Sequence, residues 1–297
     1  MTSPVRVLVL GSGGIGTLIA ARLAVDPQVQ VSLAVRRPTP SVVLVGDGEE
    51  RVAPVEIVTD VAGLAPFDWV VVATKAYDVP GLADWFAAPA CRGARYLVAQ
   101  NGVEHAERLA PWIEVDRVLP AIVTYGAERT APGRVAQTLS GVVRLPQTPL
   151  AQAFSALAAG GALNVEVTAE FAVALWTKLA HNLASNSLTT IADVSVREVA
   201  LRPGLRAAAI ALVAECRAVA AAVGVRLDER LTEEMLTLFA SFPATVHSSM
   251  WQDRQAGRRF EHDAISGALV RIGEAWGVAT PRVHLTTCLL DGLEMGY

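Results

Sequence analysis

The hexapeptide GSGGIG, residues 11–16, stands directly behind the apolar run Val5–Leu10 and directly ahead of a helix-length stretch, residues 14–24. A strand that breaks into a glycine turn and continues as a helix leaves backbone N–H groups free at the helix start, and those groups favour an anion. Gly11 permits the tight turn, Gly13 lets the backbone approach a pyrophosphate, and Gly16 lets the helix pack closely on the strand. Gly11, Ser12, Gly13, Gly14, Ile15 and Gly16 are therefore the candidate dinucleotide contacts. An ordinary glycine turn is the alternative, and the second apolar run at residues 29–35 argues against it.

The N-terminal half keeps this texture. Short β-branched runs at residues 69–74, 96–99 and 118–124 alternate with turns and with helix-length stretches such as residues 102–109. Continuous apolar strands of this length predict a doubly wound parallel sheet of the Rossmann type, buried on both faces. Near residue 167 the texture changes to long Ala- and Leu-rich helical patterns. Residues 205–223 form one helix, with Gly224 as its C-terminal stop, and Pro243 is expected to open another as its first residue. A chain of 297 residues is about twice an ordinary domain, so the reading is an α/β chain of two domains. Residues 1–167 form the dinucleotide domain and residues 168–297 an all-helical substrate domain, with a cleft expected between them.

Composition narrows the partners. With 52% hydrophobic and 18% charged residues the chain can bury a core, and a net charge of −4 gives no basic field for nucleic acid or an anionic membrane. No apolar run approaches the roughly 18 residues of a membrane span, and the N-terminus lacks the pattern of a signal peptide. Cys91, Cys216 and Cys288 stand far apart, without metal spacing, which suits a reducing cytoplasm rather than a disulfide framework. The five histidines make no HExxH or paired arrangement, so no metal is expected. The expected ligands are small molecules.

Two features choose among dinucleotide chemistries. Where an NAD site would offer an acid at the end of the second strand, this chain has Arg36 and Arg37. A guanidinium there can pair with a 2′-phosphate, so Arg36 predicts NADPH; two solvated surface arginines are the alternative. Only Lys75 and Lys178 among the 25 basic residues are lysines, and lysine, unlike arginine, can give up a proton. Lys75 ends the third apolar run, at the carboxyl edge where such sheets bind ligands.

Lys178, Asn182 and Asn186 follow one another at i, i+4 and i+8, within a sector of roughly 80° on a helix beside Leu175 and Leu179. This polar row abuts the apolar stripe, so its members need partners, either a ligand or neighbouring helices. Glu261 shares the i, i+4, i+8 pattern with Ile265 and Leu269, which puts a carboxylate on the inward face of a helix's first turn. Ser249 is a candidate substrate ligand, Asp253 a structural acid, His181 a packing residue, and Asn101 a polar side chain at another strand end.

Taken together, GSGGIG, TKAYD around Lys75, QNGVE around Asn101, TYGAERTAPGRV, WTKLAHNLASN and SSMWQD with Glu261 downstream resemble the ketopantoate reductase family over essentially the whole chain. The resemblance implies NADPH-dependent reduction of a 2-oxo acid, best matched by 2-dehydropantoate. It implies Lys178 as general acid, Asn182, Asn186, Ser249 and Glu261 around the substrate, and Lys75 and Asn101 near the nicotinamide. A homodimer is an open assembly. The family usually carries Thr-Glu-Ile-Asp where this chain has Phe260, Glu261, His262 and Asp263, so Phe260 is expected to face the substrate's tail and make that end of the site more apolar. Three other readings stay open: a paralogue reducing another 2-oxo acid or an imine, a β-hydroxyacid dehydrogenase, and a non-catalytic NADPH-binding regulator.

Overall fold

The computed structural model describes residues 3–46 and 49–294. It divides into two compact units: the residues up to Gln100 together with His105–Phe171, and Asn101–Glu104 together with the residues from Ala172 onward.

Thirteen strands occur among the described residues, all in the first unit: β1 (Val5–Leu10), β2 (Val29–Ala34), β3 (Val42–Gly46), β4 (Glu49–Ala53), β5 (Val55–Val58), β6 (Trp69–Val72), β7 (Arg95–Val98), β8 (Val118–Pro120), β9 (Ile122–Val123), β10 (Gly126–Ala131), β11 (Arg134–Leu139), β12 (Val143–Pro146) and β13 (Val165–Thr168). Six of them form one sheet in the order β5-β2-β1-β6-β7-β8, with every neighbouring pair parallel. Alternate residues of β1 serve opposite faces: Val7 and Val9 join one hydrophobic cluster, Leu8 and Leu10 the other. That double burial is why these strands read as unbroken apolar runs.

Two smaller sheets complete this unit, in the orders β10-β11-β3-β4 and β13-β12-β9. They correct the expected single strand at residues 118–124. Its first part, β8, extends the parallel sheet, whereas β9 turns away and pairs antiparallel with β12. β10 and β11 form a hairpin around Pro132-Gly133, with Gly133 at φ +72°. Such a turn needs a positive φ that glycine supplies without strain. The helix Gly14–Leu23 packs on β1 and β2 and also on β10 and β11, so it is buried nearly all round and carries no clean polar face.

The second unit is helical, with its core cluster running from Trp176 to Leu290. The long helix is Pro203–Ala222, and Gly224 follows at φ +84°, the left-handed stop expected of it. Pro243 opens no helix: Phe242, at φ −68° and ψ 147°, has already left the helical region, as a residue before proline tends to, and the next helix, Ser249–Gln255, is capped by Ser248. The last helix, Pro281–Glu294, starts on a buried carboxylate: Glu215 accepts from the backbone N–H of Arg282 at 3.1 Å and of Val283 at 2.9 Å. Among the described residues, no helix is long and apolar enough to cross a membrane.

Candidate active site

The glycine loop in the first unit is shaped by what surrounds it. Gly11 sits at φ +119°, and a Cβ there would lie 2.5 Å from the carbonyl carbon of Ala73 and the nitrogen of Thr74. A Cβ at Gly16 would strike the Gly11 carbonyl, and one at Gly14 the Ala127 carbonyl of β10. Gly13 differs: it caps the helix without a side-chain hydrogen bond, its backbone is extended, and its Cβ direction is open for 4 Å. An open direction at the residue that caps a helix start fits a pyrophosphate there, while Gly11, Gly14 and Gly16 satisfy packing.

Beyond β2, Arg36 is largely exposed, with Nη2 3.1 Å from Asp78 Oδ2. Lys75 follows β6 and precedes a short 3₁₀ turn, Ala76–Leu82. The strand ends beside it are braced. Gln100 Nε2 donates to the Thr74 carbonyl at 2.9 Å, and the Gln100 carbonyl accepts from Nε2 of buried His105 at 3.0 Å.

In the second unit, Lys178 and Asn182 lie on the helix Phe171–Asn182, but Asn186 lies in a π-helical turn, Leu183–Ser187. On a regular α-helix Asn186 would stand about 80° round from Lys178; a π turn winds through fewer degrees per residue and takes back most of that drift. The polar row is therefore tighter than the regular helix expected from the sequence. A second π turn, Asp263–Gly267, follows Glu261 and packs against the first. In each, a serine hydroxyl donates to the carbonyl four residues back, Ser185 to His181 at 2.8 Å and Ser266 to His262 at 3.1 Å. Such back-bonds give a carbonyl a partner where the regular ladder is disturbed.

Glu261 is buried and sits just before its helix rather than in the first turn; its own carbonyl accepts the N–H of Ala264 at 3.0 Å. Burial pulls the Lys178 ammonium from 10.5 down to about 8, and the Glu261 carboxylate partly opposes the shift. Glu261 Oε2 also accepts from Asn101 Nδ2 at 3.3 Å. The segment Asn101–Glu104 is pinned to this unit from its far end, where Arg271 bridges Glu104 at 2.7 Å and Asp263 at 2.6 Å.

The structure thus joins Lys178, Glu261 and Asn101 in one unit. Asn186 is buried. Ser249 is exposed at the first position of its helix, beside Ser248, whose hydroxyl caps the helix and lies 2.6 Å from Thr189 Oγ1. Asp253 pairs with Arg258 at 2.9 Å, and His181 packs against Phe239. Phe260 is 1% exposed within the helical core, so its ring fills a packing position rather than the expected one at the substrate's tail. The thiols of Cys91 and Cys216 are pushed up to about 11 and about 12 by burial, which makes them poor nucleophiles.

Comparison with known proteins matches the same two parts of the chain. The family model described as ketopantoate reductase PanE/ApbA matches residues 7–149, and its C-terminal companion matches residues 170–294. The chain is 34% identical to the 2-dehydropantoate 2-reductase of Caulobacter vibrioides, over 97% of this chain and 99% of that one. It is 33% identical to the enzyme of the same name from Mycobacterium tuberculosis, over 98% of each. The crystal structure of a PanE/ApbA family ketopantoate reductase from Ralstonia eutropha JMP134 superposes with a TM-score of 0.88 at 27% identity, covering 98% of this chain and 99% of that one.

Proposed function

The chain belongs to the ketopantoate reductase family, and on that premise we propose that it reduces 2-dehydropantoate to pantoate with NADPH. The observation that carries this reading is the pairing of a desolvated lysine, Lys178, with the buried carboxylate of Glu261, which also holds Asn101.

The glycine loop would hold the pyrophosphate through backbone N–H groups at the start of the helix Gly14–Leu23, with Gly13 as the point of closest approach. Arg36 would meet the 2′-phosphate and exchange its contact with Asp78 for a stronger charge-assisted one. Lys75 and Asn101 are assigned to the nicotinamide end. When bound, the cofactor supplies a hydride to C2 of the 2-oxo acid.

The protein's own part is the proton. As C2 becomes tetrahedral its carbonyl oxygen gains negative charge, and the Lys178 ammonium hydrogen-bonds that oxygen and then transfers a proton to it, leaving a hydroxyl. An ammonium that titrates near 8 is still protonated at neutral pH yet gives its proton more readily than an ordinary lysine. Asn182 and Asn186 are assigned to orienting the substrate, Ser249 to its carboxylate, and Glu261 to its distal hydroxyl.

The test is NADPH oxidation by the purified chain against a panel of 2-oxo acids. The highest kcat/KM is expected for 2-dehydropantoate, with pantoate as product and NADPH preferred over NADH. A chain that oxidises NADPH with none of the panel overturns the reading.

A further inference from the structure

One buried group in the second unit has no part in this chemistry. The His262 side chain is 7% exposed and has a carboxylate beside each ring nitrogen: Nε2 lies 2.9 Å from Asp291 Oδ1, and Nδ1 lies 3.5 Å from Glu294 Oε2. Both acids are on the last helix, three residues apart and so on one face. That helix is fixed at its start by Glu215.

The two contacts differ in kind. Nε2 and Asp291 form a hydrogen bond, whereas Nδ1 is buried and finds no hydrogen-bond partner. A carboxylate only accepts, so the ring proton belongs on Nε2, and a neutral imidazole then aims the Nδ1 lone pair at a second acceptor. Two acceptors facing each other, one of them buried, are unfavourable unless a cation lies between them. Ligands held at about 2.0–2.1 Å from one tetrahedral ion stand roughly 3.3 Å apart, close to the separation seen here. Glu294 is already oriented, because Arg259 Nε holds its other oxygen at 3.2 Å.

We propose that His262 Nδ1 and Glu294 Oε2 bind a divalent metal ion of zinc's class, water completing the shell. Asp291 accepts the Nε2–H, the carboxylate-to-histidine-to-metal arrangement that fixes the ring's tautomer and strengthens it as a ligand. One donor atom from each of the three residues lies within 4.8 Å of the others. Nitrogen and oxygen donors without thiolate suit zinc and its neighbours better than calcium or magnesium. Because His262 adjoins Glu261, the bound ion would tie the start of the second π turn to the last helix.

The experiment titrates zinc chloride into the EDTA-stripped full chain by calorimetry and by thermal melting. Every protein is measured in a Cys288→Ser background, since Cys288 Sγ lies 3.8 Å from His284 Nε2 and would compete for zinc. One zinc ion per chain is expected, with a rise in melting temperature that EDTA reverses. Both are lost in His262→Gln and Glu294→Gln, and Asp291→Asn weakens binding by about 10- to 100-fold. Should His262→Gln fail to fold, Glu294→Gln, at the last described position of its helix, decides. A stripped chain that takes up no zinc, or uptake unchanged in Glu294→Gln, overturns the proposal. So does imidazole nitrogen NMR showing both His262 nitrogens protonated at saturating zinc, because the cation there is then a proton.

Discussion

Asn101 Nδ2 and Glu261 Oε2 lie 3.3 Å apart across 160 residues of sequence, so the carboxylate that opposes the desolvation of Lys178 is also the acceptor for an amide on the segment Asn101–Glu104 of the same unit. Glu261 is the shared element, and its removal should be felt at both neighbours.

Replacing Glu261 by Gln removes a charge that holds the Lys178 ammonium up against burial. The alkaline limb of the kcat/KM profile is expected to move to lower pH. KM for hydroxyl-bearing 2-oxo acids should rise about 10-fold or more, the worth of a hydrogen bond to a charged group. Steady-state rates between pH 6 and 10 check both, and an unmoved alkaline limb would detach Glu261 from Lys178.

Lys178→Met is expected to lower kcat by about 100-fold or more, with NADPH affinity little changed. The same variant reports on stability. The folded-state value of about 8 lies below the ordinary 10.5, so at pH below 8 lysine is charged in both states and the cost of burying it is present in full. Between pH 8 and 10.5 the folded chain has released the proton and the unfolded chain has not, so stability rises with pH there, by on the order of 1–3 kcal/mol. Denaturant melts across that window should show the rise in the wild type and its absence in Lys178→Met.

Arg36→Ala is expected to weaken NADPH by roughly 10- to 100-fold while NADH changes little. Asp78→Asn should act in the opposite direction and by less, since it frees Arg36 from its present partner and removes a negative charge from beside the phosphate. Cofactor KM values for the three proteins decide this.

Two glycines of one loop should separate stability from binding. A methyl at Gly14 would meet the Ala127 carbonyl, and Gly14→Ala is expected to cost about 1–3 kcal/mol. A methyl at Gly13 meets nothing within 4 Å, so Gly13→Ala should melt near the wild-type temperature and still lose NADPH affinity. Parallel thermal melts and cofactor titrations provide the check.

Phe260→Thr is expected to destabilise the chain by roughly 3 kcal/mol, as a large-to-small change in a core, and to leave the ratio of kcat/KM for 2-dehydropantoate and 2-oxoisovalerate nearly unchanged. A shifted ratio in a variant with normal stability would place Phe260 at the substrate after all.

The parallel sheet and its loop were legible because period and spacing are local. β1 is buried on both faces and Gly11 has the positive φ that its turn demands, and both leave a mark on six or seven consecutive residues. Lys178 stood out by type, as one of two lysines. What stayed hidden depends on partners distant in sequence. The need for glycine at position 14 comes from Ala127, the role of Asn101 from Glu261, and the burial of Phe260 from a helical core that no short window reveals. The hairpin of β10 and β11 did carry a local signal in Pro132-Gly133, masked by flanks rich in charge and small residues. The π turns carried one too: His181 to Ser185 and His262 to Ser266 repeat one spacing, each serine returning to the histidine carbonyl.

A π turn stores one residue more than a regular helix would need to span the same rise, and residues 183–187 absorb that surplus locally. Forced into α geometry with no residue removed, the segment would turn everything beyond it by about 100° relative to Lys178 and carry the helix Leu188–Ala192 off its packing face. Excising a single residue there would instead let an α-helix run through with the downstream register kept, at the cost of where Asn186 points. The length of this segment therefore behaves as an angle setting: shortening it by one would keep the downstream register, and the surplus residue turns the asparagine back towards the lysine.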